Sequence, residues 1–420
     1  MTLKSRWVSV CLIAAASVFM ITAFGCRGGG GFSDSNVVTL SFGLNVETRH
    51  IYEEVKKEFE ALNPDIKIKE MPIEGKEYYK KLQTMIAGNE APDIMWMGMG
   101  FGEFAMRGVF MPLNNFLAAD SSVDLEGINP AILEMYKTNG MIYGLPYGID
   151  YMMFAYNMDI FDKAGMPYPD ESWTIKDMVK AAKVLTVRKG KQAEQYGFAG
   201  SITLSMFGLT LLSEDLSRCT MDTPEAIEYI KFHVDLIHKY RIVPNISVAQ
   251  MSSTEDLFMT GRLAMAALPT WSIVNLSKKV DNFKWGITLL PTVNGHRGHW
   301  ASSSGFCMYK NAKNKEAAWR VLKHYTSAKS LMVKSFPNTI PVRSDVLEGC
   351  LKKYSGNPIG IKALKDALPY LIPDPRVPQI NRLMDIVYKN MEAAELRVVT
   401  PEQAARDITK ECNNVLKQDR

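Results

Sequence analysis

Apolar residues alternate along Val38-Thr-Leu-Ser-Phe-Gly-Leu44, and this period of two predicts a half-buried β-strand. The apolar residues that follow, Ile51, Val55 and Phe59, lie four positions apart and predict a helix. The pair Asn63-Pro64 ends that helix, because proline cannot continue it. The segment is therefore the first half of a strand–helix–strand unit.

The same succession is repeated in the residues that follow. A second strand is predicted at Ile66 and Ile68, and a second helix carries Tyr79 and Leu82 on one face. The short apolar run Pro92-Asp-Ile-Met-Trp-Met97 is typical of a buried parallel strand. This order of elements predicts an α/β lobe with a largely parallel sheet.

Beyond residue 150 the apolar pattern changes repeatedly between helix and strand. The elements predicted there are a helix on Ile227, Ile230, Val234 and Ile237, strands at 263–268, 285–290 and 305–309, and helices near 377–396 and 401–416. The chain has 420 residues, which is more than one compact core usually holds and predicts two domains or lobes.

Composition and charge exclude some functions. The formal net charge is +4 and becomes +2 without Lys4 and Arg6 of the N-terminal segment, so a nucleic-acid-binding surface is not expected. The sequence contains no HExxH, P-loop or GxSxG motif, and we expect no enzymatic activity.

The N-terminal segment has the features of a secretory signal. A basic start is followed by an apolar run over 7–24 and by the small residue Gly25. The Cys26 that follows resembles the lipobox of bacterial lipoproteins, with Ala23 and Phe24 where that family usually has Leu and a small residue.

This resemblance implies a protein anchored outside the cytoplasm. Residues 1–25 would be a signal peptide, Cys26 would carry a lipid that enters the bilayer, and residues 26–36 would include a flexible glycine tether. The alternatives are an ordinary cleaved signal and an uncleaved anchor helix.

The remaining cysteines are widely spaced, and no spacing of Cys and His predicts a metal site. Cys307 lies in a predicted strand and Cys412 on a helical apolar stripe, so both are expected to be buried free thiols. A disulfide among Cys219, Cys307, Cys350 and Cys412 is the alternative in an oxidising compartment.

Five segments, in order, resemble the extracellular solute-binding proteins of family 1, the sugar-binding receptors of ABC importers typified by maltose-binding protein. They are Leu40-Ser-Phe-Gly-Leu-Asn45, Ala91-Pro-Asp-Ile-Met-Trp96, Leu145-Pro-Tyr-Gly-Ile-Asp150, Gly261-Arg-Leu-Ala-Met-Ala-Ala-Leu-Pro-Thr-Trp271 and Asn314-Lys-Glu-Ala-Ala-Trp-Arg-Val-Leu322. The likeness covers about the whole chain after the signal.

The resemblance implies an α/β, two-lobed periplasmic-binding-protein fold of the class II type, with a ligand cleft between lobes that close as hinged bodies. Residues 37–149 with about 290–345 would form lobe 1, and residues 150–289 with about 346–420 would form lobe 2. The expected partners are a sugar or oligosaccharide and the ABC permease subunits. A monomer without cofactor or metal is expected.

Four positions are aromatic or acidic ligand candidates, and three of them match the family pattern. A sugar ring stacks its apolar faces on aromatic rings, and its hydroxyls bind carboxylates and amides. The family pattern places Trp96 at the cleft end of a strand, Asp150 in the first crossing segment and Trp271 after a later strand. Trp300 is a further stacking candidate. The alternatives are core packing for Trp96 and Trp271 and a hinge hydrogen bond for Asp150.

Three further ligand candidates are polar. Asn45 and Glu47 follow the first strand, where they would contact the sugar rim or simply face solvent. Arg343 would reach the cleft from lobe 1 or lie on the surface. The pair His296 and His299 is expected to face solvent in a glycine-rich turn rather than bind a metal.

Two other functions remain open. A lipid-anchored glycoside hydrolase or lyase would act on the same sugars, and the same receptor fold could bind a non-sugar solute. The three tryptophan candidates favour a sugar.

We predict that the exported protein begins at Cys26 and carries lipid there, and that Cys26→Ser abolishes this modification. The reason is that the thiol is the acceptor of the lipid in lipobox-containing proteins. Mass spectrometry of the mature N-terminus checks this, and an unmodified terminus at another residue would contradict it.

Overall fold

A computed structural model describes residues 36–44, 49–190, 192–330, 339–353, 356, 358–375 and 377–418. Three predicted functional residues, Cys26, Asn45 and Glu47, lie outside the described residues. Within this part of the chain no helix is long and apolar enough to cross a membrane.

The described strands are β1 (Val37–Leu44), β2 (Lys67–Glu74), β3 (Ile94–Met97), β4 (Lys137–Thr138), β5 (Met141–Ile142), β6 (Gly144–Asn157), β7 (Val187–Lys189), β8 (Gln192–Gly200), β9 (Leu263–Pro269), β10 (Trp285–Thr288), β11 (His299–Met308), β12 (Ile340–Pro341) and β13 (Leu371–Pro373).

The described α-helices are α1 (Arg49–Leu62), α2 (Tyr78–Ala87), α3 (Phe101–Met106), α4 (Asn114–Ala119), α5 (Pro130–Glu134), α6 (Met158–Lys163), α7 (Ile175–Leu185), α8 (Pro224–His238), α9 (Ile246–Met251), α10 (Thr254–Met259), α11 (Thr270–Lys279), α12 (Lys315–Thr326), α13 (Ser344–Lys353), α14 (Ala363–Asp366), α15 (Ile380–Glu395) and α16 (Pro401–Gln418).

The N-terminal strands form the parallel part of a large sheet. β1 pairs in parallel with both β2 and β3, which confirms the parallel sheet predicted from the strand–helix alternation. The sheet continues in the order β2-β1-β3-β11-β6-β9-β8-β7. β11 is antiparallel to β3 and to β6, and it begins at His299, well before the strand predicted at 305–309.

Strand β6 changes partners along its length. Its first half, 144–151, pairs with β11, and its second half, 152–157, pairs with β9 and β10. Successive side chains of a strand point to opposite faces. In the second half of β6, Met153 and Ala155 therefore enter one apolar cluster, and Met152, Phe154 and Tyr156 enter another. Both faces of the strand are buried.

Two apolar clusters are arranged about this strand. The first contains Val38 and Leu40 of β1 together with Trp319 of α12. The second contains Leu383 of α15 and Ile408 of α16, and these two helices pack on α8. The C-terminal helices are thus packed in the cluster to which Met152 and Phe154 of β6 contribute.

Two of the cysteines were predicted to be buried free thiols. Cys307 of β11 and Cys412 of α16 are fully buried, which confirms the expectation of core thiols. Cys219 is also buried, Cys350 is partly exposed, and all four are free thiols in the structure.

Helix α7 lies directly on strand β8 at Gly197. A Cβ atom on Gly197 would lie 2.0 Å from the carbonyl oxygen of Ala182 in α7, a distance that real contacts do not reach. We expect Gly197→Ala to lower the free energy of unfolding by about 2–3 kcal/mol, because the helix must move away from the sheet. Chemical denaturation measures this.

The matched control is Gly43→Ala. Gly43 is also a strand glycine, in β1, but it has no neighbouring atom within 4 Å of the added Cβ. Its substitution should change the free energy of unfolding by less than about 0.5 kcal/mol. Equal effects of the two substitutions would contradict close packing as the cause.

Candidate functional site

Trp96 lies near the carboxyl end of β3, where it is partly exposed. Its indole Nε1–H donates a hydrogen bond to the Tyr147 hydroxyl at 3.1 Å, and that hydroxyl pairs with the Tyr52 hydroxyl at 2.9 Å. The ring of Tyr79 is stacked beside it, with centroids 6.1 Å apart. Hydrogen bonding and stacking fix the orientation of the indole.

Asp150 lies on β6 immediately before the change of partner strands. Its Oδ1 accepts a hydrogen bond from the hydroxyl of Thr270 at 3.0 Å. Burial raises the pKa of Asp150 to about 6, and the Thr270 hydrogen bond partly opposes this rise. Thr270 also accepts a bond from the Tyr151 N–H at 3.3 Å, so it ties the start of α11 to β6.

Trp271 is the next residue along α11. It is 47% exposed, which shows that it is not a core residue. Its ring meets the ring of Trp300 edge to face, with centroids 6.2 Å apart and planes at 86°. Two predicted stacking residues, on an α-helix and on strand β11, are thus brought together.

Trp300 is held by a carboxylate that the sequence did not reveal. Its Nε1–H donates to Oδ1 of Asp374 at 2.6 Å. Asp374 follows β13, which pairs in parallel with β11 and places Ile372 opposite Trp300. Burial raises the pKa of Asp374 to about 6, and the Trp300 hydrogen bond lowers it in part. The only local signal was the sequence Pro373-Asp-Pro375, which is typical of a loop.

Asp150 and Trp300 belong to neighbouring strands. β11 places Ser302 opposite Asp150 in the ladder, two residues beyond Trp300. Thr270 of α11 bonds Asp150, and its neighbour Trp271 contacts Trp300. The structure therefore brings Asp150, Trp271 and Trp300 into one group, which Asp374 joins. We call these four residues the Trp–Asp cluster.

Arg343 forms ion pairs with residues that do not belong to the Trp–Asp cluster. Its guanidinium forms ion pairs with Asp124 at 2.8 Å and with Asp345 at 3.1 Å. It also donates to the backbone carbonyl of Asp124 at 3.0 Å. These bonds connect α13 to the loop before α5, and the ligand role of Arg343 stays a prediction.

The expectation that His299 faces solvent is wrong. His299 is fully buried, and its Nδ1 lies 2.6 Å from the carbonyl oxygen of Met152, to which it donates a hydrogen bond. Burial lowers the pKa of His299 to about 4, so the ring is neutral at pH 7. Arg297 and Gly298 precede it, but β11 begins at His299, where its ring contacts Met152 of β6. No group of metal-ligating side chains occurs among the described residues.

Asp374 should destabilise the free protein at neutral pH. Its folded pKa of about 6 exceeds the ordinary value of 3.8, so the folded state holds the proton more tightly. This contribution to stability is fully present below about pH 4 and is lost as the pH rises through about 6. We expect Asp374→Asn to raise the free energy of unfolding by about 1–3 kcal/mol at pH 7.5 and by much less at pH 4.5.

Asp124→Asn is the control, because it should change the free energy of unfolding in the opposite direction. Arg343 holds the pKa of Asp124 below its ordinary value, so neutralising this carboxylate should lower stability at pH 7.5. Urea denaturation at both pH values measures the two variants. A gain for Asp374→Asn that is equal at the two pH values would contradict ionisation as the cause.

Comparison with known proteins agrees with this architecture. A protein of Brucella abortus (strain 2308) is 25% identical over 393 residues, which covers 89% of this chain and 92% of that protein. The arabinooligosaccharide-binding protein of Bacillus subtilis (strain 168) is 24% identical over 296 residues, or 68% of this chain and 67% of the relative.

A solved structure matches over nearly the whole chain. The ABC substrate-binding protein Lmo0181 of Listeria monocytogenes, in complex with cycloalternan, superposes with a TM-score of 0.81 at 26% identity. The match covers 91% of this chain and 99% of that chain. The α/β fold is therefore the two-lobed fold predicted from the five segments.

The family model of the bacterial extracellular solute-binding proteins matches residues 46–332. This span includes β6, β9 and β11 and thus the strands and the helix start that position Asp150, Trp271 and Trp300. The chain belongs to the family of bacterial extracellular solute-binding proteins.

Proposed function

We propose that this protein captures a sugar or oligosaccharide between its two lobes and delivers it to the permease of an ABC importer. The observation that carries the proposal is the Trp–Asp cluster. In it a half-exposed Trp271 meets Trp300 edge to face beside two partly buried carboxylates.

The chemistry of the cluster suits a carbohydrate. The exposed part of the Trp271 indole offers an apolar surface for the C–H face of a sugar ring. Asp150 and Asp374 accept one protein hydrogen bond each, from Thr270 and Trp300, and each carboxylate has further lone pairs for ligand hydroxyls. A hydrogen bond between a hydroxyl and a charged group contributes about 1.5–3 kcal/mol.

The relatives support the same ligand class. One is named for binding arabinooligosaccharides, and the superposed solved structure contains cycloalternan. Both names describe those proteins, and the inference for this chain is that its ligand is also a carbohydrate.

The proposed mechanism is closure of two lobes on the ligand. Residues 37–149 with about 290–345 would form one lobe, and residues 150–289 with about 346–420 the other. A ligand that contacts both lobes binds the closed state more tightly, and this difference in affinity drives closure. Strand β6 supports this division because its two halves pair with different strands.

One carboxyl group with a raised pKa also occurs in glycoside hydrolases, which makes a hydrolase the second candidate. A hydrolase needs one protonated acid and one ionised carboxylate, and it separates their pKa values. Burial raises the pKa of both Asp150 and Asp374, and each carboxylate accepts a bond from a protein donor. This similarity favours binding over catalysis.

The proposed function includes attachment to the membrane through Cys26. The lipid on Cys26 would hold the protein as a monomer at the outer face of the cell membrane, and the glycines at 28–31 would let it reach the permease.

The test begins with a panel of sugars and glycans screened by thermal shift, because a ligand of the folded state raises its melting temperature. For the sugar found, calorimetry should show that Trp271→Ala weakens binding at least tenfold, about 1.4 kcal/mol. Trp271→Phe, which keeps an aromatic face, should lose less affinity for the sugar than Trp271→Ala. The melting temperature of the free variants should stay near that of the wild type, since Trp271 is 47% exposed.

Met251→Ala is the matched control, because Met251 is 86% exposed and lies on α9 outside the cluster. It should leave affinity unchanged. Unaltered affinity in Trp271→Ala would contradict the proposed site. Conversion of the bound sugar to shorter products would favour the hydrolase.

A further inference from the structure

Two buried thiols lie together although their residues are distant in the sequence. Cys219 precedes α8, Cys412 lies on α16, both side chains belong to the second apolar cluster, and the interaction between the two thiols raises the pKa of Cys412. An independent backbone contact fixes the same approach, because the N–H of Cys219 donates to Oδ1 of Asn413 at 2.8 Å. The fold thus places Cys219 beside the turn of α16 that carries Cys412.

The other described cysteines have no such arrangement with this pair. Cys307 belongs to the aromatic cluster of Tyr78 and Phe104, and Cys350 lies on α13 beside the first apolar cluster. Cys219 and Cys412 both belong to the second apolar cluster, where they are 1% and 0% exposed.

The redox conditions of the compartment determine whether two such thiols stay reduced or form a disulfide. Proteins of the extracellular solute-binding family work outside the cytoplasm, where neighbouring thiols form disulfides. We propose that Cys219 and Cys412 form a disulfide in the exported protein. The proposal depends on the family and on export, and it does not depend on which ligand is bound.

The oxidant required is a protein disulfide of the oxidised dithiol class. One cysteine, as thiolate, attacks that disulfide and forms a mixed disulfide while the oxidant's other sulfur leaves as a thiol. The second cysteine then attacks the mixed disulfide and releases the second oxidant thiol. Two protein thiols become one disulfide, and one oxidant disulfide becomes two thiols.

Burial determines when this reaction takes place. With 1% and 0% exposure, neither sulfur is accessible to an oxidant once α16 is packed. The bond therefore forms during folding, before the C-terminal helix docks on α8. Afterwards it connects α16 to the segment before α8 and is shielded from reductants. A crosslink between residues so far apart restricts the unfolded chain strongly.

The test uses Cys26→Ser protein exported from the cell and purified without reductant. The protein is denatured, free thiols are alkylated, and an unreduced digest is analysed by mass spectrometry. We expect a peptide linking Cys219 to Cys412, about 2 Da lighter than the two separate peptides. Reduction in denaturant should release it, whereas reductant alone should leave it intact and leave the melting temperature unchanged.

The variants make the assignment specific. Cys219→Ser and Cys412→Ser should each abolish the linked peptide and lower the melting temperature, whereas Cys350→Ser, at a partly exposed site, should retain it. Alkylation of both Cys219 and Cys412 in the exported Cys26→Ser protein would overturn the proposal. So would a linked peptide that joins either residue to Cys307 or Cys350.

Discussion

The burial of β6 on both faces is the constraint on which the rest of the molecule depends. Every backbone N–H and C=O of a strand so deeply buried must be bonded to a neighbouring strand. β6 meets this requirement with β11 along its first half and with β9 and β10 along its second. The side chains of its second half enter two different clusters. Strand β6 therefore connects the two apolar clusters and fixes their relative position.

The candidate site follows from this change of partners. The pairing of β6 with β11 ends at Tyr151, one residue after Asp150. Thr270, the first residue of α11, donates a hydrogen bond to the Asp150 carboxylate. Burying a carboxylate costs free energy, and the raised pKa values of Asp150 and Asp374 record that cost. A core selected for stability alone would replace these residues by apolar ones. Their presence where two tryptophans meet is the pattern expected of a binding site.

Local patterns predicted the local structure well. The alternation along 38–44 identified β1, and the helical spacing after it identified α1. Such periods depend only on which face of an element is buried. Contacts between distant residues could not be predicted in this way. Asp374 meets Trp300 because β13 pairs with β11, and buried His299 is bonded to Met152 of β6, far earlier in the sequence. Nothing adjacent to either residue in the sequence encodes those neighbours.

The hydrogen bond from Trp300 to Asp374 fixes one wall of the cluster before any ligand arrives. An indole held at its Nε1 cannot rotate without breaking a 2.6 Å bond to the partly buried carboxylate of Asp374. Trp271, half-exposed on the first turn of α11, has more room to adjust. Under the proposed function, related sugars would be accommodated by exchanging residue 271 alone, while Trp300 and the two carboxylates stay unchanged. Specificity in this lineage can therefore diverge by single substitutions at a surface position, without loss of the fold.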